Sequence, residues 1–188
     1  VGIKEENMPG TRPLRTIEDM TREEVADLLN RCWMTHDGMW FFHCYKALGI
    51  EKASEINKAA IRSLAPMEME RIKKALGLEK RKIENEREFQ DFFGAVSRLF
   101  IPDFMAIQFT YPKENTLRWD FEPNNCFAFK GMKRIGAVDG YECGVIFRLR
   151  CWMDCLGLKY RLSPEVERCL MLEDGKCSGE FEFDFSGS

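Results

Sequence analysis

Apolar positions recur with a helical period from Thr21 to about residue 100, and with a period of 2 after Pro102. Thr21-Arg22-Glu23-Glu24 reads as a capping box, in which a hydroxyl and a carboxylate each satisfy a free backbone N–H. The long helix it opens has Val25, Leu28, Leu29, Cys32, Trp33, His36, Met39, Trp40 and His43 at helical spacing and ends near Gly49. A second helix is expected from Glu51 to Leu64, with Ala53, Ile56, Ala60, Ile61 and Leu64 inward. Pro66 fits the first turn of a third, which carries Met69, Ile72, Lys73 and Leu76 before Gly77 stops it. A fourth spans about Glu84 to Phe100, with Phe89, Phe92, Phe93, Val96 and Phe100 on its apolar side. Met105, Ile107, Phe109 and Tyr111 then alternate, as do Leu117, Trp119 and Phe121, and Pro112 to Asn115 joins them as a hairpin. Tyr141 to Leu156 returns to helical spacing, and strands near 158–162, 166–172 and 177–185 finish the chain. Helices followed by an antiparallel sheet with a packed helix make this an α+β fold.

This pattern divides the chain into an extended arm over 1–20, a helical region over 21–101 and a cysteine-bearing α+β region over 102–188. The last two are expected to form one compact unit, since 188 residues suit a single domain. Net charge is −3 with both signs interspersed, so neither nucleic acid nor an anionic membrane surface is an expected partner. No apolar run approaches the ~18 residues of a membrane span, and the first residues do not resemble a signal peptide; a cytoplasmic location is expected.

Eight cysteines change the picture, because a reducing compartment gives them no disulfide role. Cys169 and Cys177 flank Glu173-Asp174-Gly175, a three-residue turn with Gly175 in the left-handed position. Read as a hairpin, that turn sets Cys169, Met171 and Cys177 on one face together with Phe181, Phe183 and Phe185. A two-residue turn would shift the register by one and separate the two thiols. With Cys126 and Cys143 upstream, four thiols form a candidate zinc cage, since thiolates bind zinc in a closed tetrahedron. The gaps between them are of no knuckle type, and four core thiols behaving as small hydrophobes is the plainer account.

Cys169-Leu-Met-Leu-Glu-Asp-Gly-Lys-Cys177-Ser-Gly-Glu-Phe-Glu-Phe, with Cys126 after a strand and Cys143 opening a helix, resembles the end of the 4-vinyl reductase-type small-molecule-binding domain. It is also similar to the end of the L-2-amino-thiazoline-4-carboxylic acid hydrolase family. Phe-Ala-Phe-Lys follows Cys126 where those families often have Pro. Farther forward, Trp33-Met-Thr-His36-Asp37-Gly38-Met-Trp40-Phe41 and Arg71-Ile-Lys-Lys-Ala-Leu-Gly77 resemble an uncharacterised bacterial and archaeal family with a helical front and the same cysteine-bearing back. The resemblance implies Cys126, Cys143, Cys169 and Cys177 as metal ligands.

His36 and His43 are the two histidines, about 10 Å apart along one helix and too distant to share a metal unaided. Cys32 and His36 could share one. His36, Asp37 and Trp40 are the candidate ligand-binding residues, because a histidine near neutral pKa can accept a proton or bind a carboxylate. Trp40, Phe109, Trp119 and Phe147 are expected to contact the ligand. Cys151 and Cys155 are expected to pack in the core, and Glu68 and Glu70 to lie on a solvated helix face. The sequence thus points to a small-molecule-binding or sensing protein with a structural zinc, with homodimer formation open. One alternative is a hydrolase of a small cyclic amide- or thiazoline-like acid, using zinc-bound water or a cysteine activated by His36. The other is a structural or interaction subunit.

Overall fold

The computed structural model describes residues 14–186. Most of the arm expected over 1–20 lies outside the described residues; Ile17–Asp19 is a single 3₁₀ turn. Helix α1 spans Arg22–Leu48 and starts as the capping box requires: Thr21 Oγ1 accepts from the Glu24 N–H at 3.1 Å, and Glu24 Oε2 accepts from the Thr21 N–H at 2.8 Å. Helix α2 spans Ile50–Ala75, so the two helices expected on either side of Pro66 are one. Proline costs the Arg62 carbonyl its helical partner. The helix nevertheless continues, because Ser54, Ile61, Ala65, Glu68, Met69 and Ile72 keep a single inward stripe across the proline.

Helix α3 spans Glu86–Phe100 and buries Phe89, Phe92, Phe93 and Val96. Asn85 caps it, its Oδ1 accepting from the Glu88 N–H at 3.0 Å. Asn85→Ala is expected to lower stability by about 1 kcal/mol, measurable by urea denaturation.

Strands β1 (Ile107–Thr110) and β2 (Thr116–Phe121) form the expected hairpin, with Phe109 opposite Trp119. Met105, expected in the first strand, belongs to a 3₁₀ turn over Asp103–Met105. A further helix, α4 (Phe127–Arg134), follows β2; α5 spans Gly144–Cys155 and β3 Lys159–Ser163. The strand expected over 166–172 does not form. Leu170–Glu173 is instead a four-residue helix, α6, and β4 (Cys177–Asp184) pairs with β2 and β3. The hairpin linking Cys169 to Cys177 is therefore a helix-to-strand connection, in which Gly175 does adopt the left-handed conformation at φ +69°.

The fold is α+β, with an antiparallel sheet in the order β1-β2-β4-β3. One sheet face presents Leu117, Trp119, Phe121, Phe181 and Phe183 to the helices; Phe89 packs on Phe183 at 4.4 Å and Phe93 on Phe109 at 4.9 Å. The opposite face is charged, with Arg118 paired to Asp120 and Glu182 to Arg161 and Lys113. This is the alternation of a one-sided sheet.

Helix α1 departs most from expectation. The residues read as its inward stripe, from Leu28 and Leu29 through His36 to Trp40 and His43, are exposed, and Phe41 is its one buried residue. The helix turns its other side inward, where Met34, Gly38 and Phe41 meet the helical layer. Among the described residues, no helix is long and apolar enough to cross a membrane.

Candidate functional site

Between α1, α2, α4, α5 and the start of β1 lies a cavity of about 210 Å³. Its walls are largely apolar, with Phe100, Ile107, Phe109, Met132 and Leu149 among them. Helix α5 approaches α2 closely here because Gly144 has no side chain: a Cβ there would sit 2.8 Å from Asn57 Nδ2 and 3.3 Å from the Tyr141 hydroxyl. The Tyr141 oxygen accepts from the Gly144 N–H at 3.1 Å, and burial pushes the phenol's pKa far up. Four polar side chains face this space: Asp37, Asn57, Tyr141 and Arg148. Such a cavity, apolar with a few polar groups, is the ordinary form of a small-molecule site.

Arg148 is not a free cation. Its Nε donates to Glu68 Oε2 at 3.2 Å and its terminal nitrogen pairs with Glu68 Oε1. Trp152 Nε1 donates to the same carboxylate at 3.0 Å. The guanidinium also lies over the Trp33 ring at 4.5 Å and the Trp152 ring at 5.4 Å. Asp37 keeps contact with solvent at the edge of the cavity, yet burial raises its pKa, while Arg148 and then His36 pull it down.

Beside the cavity, four segments of the chain each carry one cysteine. Phe121 pairs with Cys177, and the chain leaving Phe121 reaches Cys126 after one short turn. Glu142 bridges to Arg168 in antiparallel register and the Cys143 N–H donates to the Glu167 carbonyl at 3.2 Å, so Cys143 and Cys169 each adjoin one residue of that bridge. All four are buried. Burial raises every one of their pKa values and pushes Cys143 and Cys177 up to about 12. Negative charge on neighbouring thiols adds to the rise, linking Cys126, Cys143 and Cys177 to one another and each of them to Cys169.

Backbone amides act in the opposite sense. Cys126, Cys143 and Cys169 precede α4, α5 and α6, and the N–H groups of Phe129 and Ala128, of Ile146 and Val145, and of Leu172 and Met171 favour their thiolates. None of the three makes a formal side-chain cap hydrogen bond. The Trp119 indole N–H, fully buried and without a hydrogen-bond partner, likewise favours a Cys177 thiolate. Among the described residues, no three His, Cys, Asp or Glu side chains are grouped so as to hold a metal ion as they stand. The donor set itself, four buried thiols with amide and indole N–H groups turned toward them, fits zinc in its chemistry.

Of the candidate ligand-binding residues, Asp37 lines the cavity. His36 and Trp40 are exposed and meet edge-on at 6.5 Å, outside the lining. Phe109 belongs to the cavity wall, Trp119 to the fully buried core, and Phe147 lies beneath Arg62 and Lys58. Cys151 is buried as expected, while Cys155 and Cys32 are exposed. Glu68, expected on a solvated face, is buried and holds Arg148. The sequence did carry a signal for it: Ala65, Glu68, Met69 and Ile72 follow the i, i+3, i+4, i+7 spacing of an inward stripe.

No curated protein and no solved structure matches the chain. Residues 18–88, which cover α1 and α2 and end in the first turn of α3, are similar to a family of unknown function (DUF6125).

Proposed function

We propose that this protein binds a small, largely apolar molecule in the cavity beside Asp37, and that a zinc ion on Cys126, Cys143, Cys169 and Cys177 holds the cavity wall in place. The observation that carries the reading is that the thiol segments are also wall segments. Cys126 is followed by Phe127 and Ala128, and Cys143 by Gly144 and Val145, all four of which line the cavity. Zinc would supply the charge that keeps the thiols deprotonated and ties these segments to β4. The thiols already influence one another electrostatically, and metal binding would draw them into one coordination shell by side-chain movement. Four thiolates leave no position for an activated water, so the role is structural and the cavity is a binding site rather than a hydrolytic one.

The apolar walls select the body of the ligand. Arg148 is already neutralised by Glu68, so Asp37, Asn57 and the Tyr141 hydroxyl remain to orient its polar atoms.

Elemental analysis of protein purified without added metal tests the zinc, and indole serves as the probe for the cavity. About one zinc per chain is expected. A strong chelator, or Cys169→Ser, then lowers the melting temperature and speeds amide exchange over 127–134 and 144–149. Cys151→Ser, at a buried thiol outside the cage, leaves the metal content unchanged. Absence of metal together with an unaltered melting temperature for Cys169→Ser would overturn the zinc reading. Indole should broaden side-chain NMR signals of Phe109 and Met132 in the native protein and not in Ala128→Trp. Equal broadening in both proteins would refute the cavity site.

A further inference from the structure

The face of α1 that points away from the cavity is unusually apolar. Leu28, Leu29, His36, Met39 and Trp40 are all exposed, Leu29 and Trp40 at 63 %, and Trp33, its ring partly covered by Arg148, borders the stripe. At 100° per residue they fall within about 140° of the helix circumference, a stripe as wide as the buried face of an ordinary amphipathic helix. Leu29, Cys32, His36, Met39 and His43 follow the 3-4-3-4 spacing of a coiled-coil seam. Exposed apolar surface on this scale marks an interaction site.

We propose that a second copy of this chain covers the face, with the two α1 helices antiparallel across a two-fold axis near His36. Two observations select that occupant. The first is charge: Glu24, which also holds Arg15, and Lys46 lie along the same edge of the stripe at opposite ends of α1. An antiparallel copy sets acid against base at both ends and opposes the two helix dipoles, whereas a parallel copy sets like against like. The second is area. The helix runs about 40 Å, and eight seam side chains burying on the order of 80–100 Å² each approach the ~800 Å² per partner of a standard interface. An isologous pairing also places the large groups well, since Trp40 of one copy faces the level of Cys32 and Trp33 of the other, either side of the axis.

Sedimentation equilibrium of the whole chain, from roughly 1 to 100 μM, tests the proposal. A dimer is expected. Leu29→Glu and Trp40→Glu should each shift its dissociation at least about tenfold toward monomer, the effect of roughly 1.4 kcal/mol, with far-UV circular dichroism unchanged because both residues already face solvent in the single chain. Lys46→Glu should weaken the dimer, and adding Glu24→Gln, which keeps the capping box, should recover part of the loss, which a parallel pairing would not do. A chain that stays monomeric throughout overturns the proposal, including the case in which it floats with phosphatidylcholine vesicles and the stripe meets lipid. A dimer indifferent to both stripe substitutions overturns it equally.

Discussion

Glu68→Ala is expected to cost about 3–5 kcal/mol, the range for removing one partner of a buried ion pair. The reason is what it leaves behind. Glu68 accepts from Arg148 through both oxygens and from Trp152 Nε1, and it is the anion that neutralises a guanidinium held between α5 and α2. Alanine leaves a mostly buried guanidinium, its side chain 19 % exposed, and a buried indole N–H without their shared acceptor. For a chain of this length the loss corresponds to a fall of roughly 6–20 °C in melting temperature. Glu68→Gln keeps an acceptor for Trp152 and loses only the charge, so it should fall between alanine and the native protein. Glu68→Ala combined with Arg148→Met removes charge and counter-charge at once and should recover part of the loss. Calorimetry of the native protein, Glu68→Ala, Arg148→Met and their combination closes that cycle. A cost below about 1 kcal/mol for alanine, the level of an exposed pair, would mean that water at the cavity replaces Glu68 as the partner of Arg148.

That carboxylate marks where reading the chain succeeds and where it stops. The stripe Ala65, Glu68, Met69, Ile72 says that a charge faces inward, but its partner lies 80 residues away on α5, and spacing along one helix holds nothing about another. The same boundary explains α1. Its periodicity locates an apolar face at Leu28 to Trp40, and only the packing shows that Phe41, on the far side, is the one turned into the core. Pro66 reads as a helix start because proline is at home in a first turn, yet the inward stripe outlasts it and α2 runs through. Leu170-Met171-Leu172 is too short a run for its period to separate strand from helix, so the hairpin was a misreading. Cys169 instead precedes α6, and the chain returns to Cys177 through the Gly175 turn. Helix α4 escaped notice for a similar reason: it is eight residues long with Gly131 inside it.

Gly179→Ala should be the most damaging addition of a single methyl group in the sheet. Gly179 faces Trp119 across the β2–β4 pair, and a Cβ there would lie 2.3 Å from Trp119 Cη2, 2.4 Å from Cζ2 and 2.6 Å from the Ser163 carbonyl oxygen. None of these neighbours gives way cheaply. Ser163 O is backbone in the strand that pairs on the other side of β4, and Trp119 is fully buried against Phe181. Overpacking of this kind costs about 3 kcal/mol or more when the obstructing atoms are rigid. Equilibrium urea unfolding of Gly179→Ala should show that loss, and Trp119→Leu in the same chain should recover part of it by making room, although alone it destabilises by leaving a cavity. A loss unchanged by Trp119→Leu would place the strain on the Ser163 carbonyl and the pairing of β3. The substitution also reports on the thiols. The Trp119 N–H is one of the groups favouring a Cys177 thiolate, so under the proposed zinc site tilting the indole away should weaken metal retention in a competition with chelator. Retention equal to that of the native chain, in a protein that has lost the expected stability, would assign the indole to packing alone.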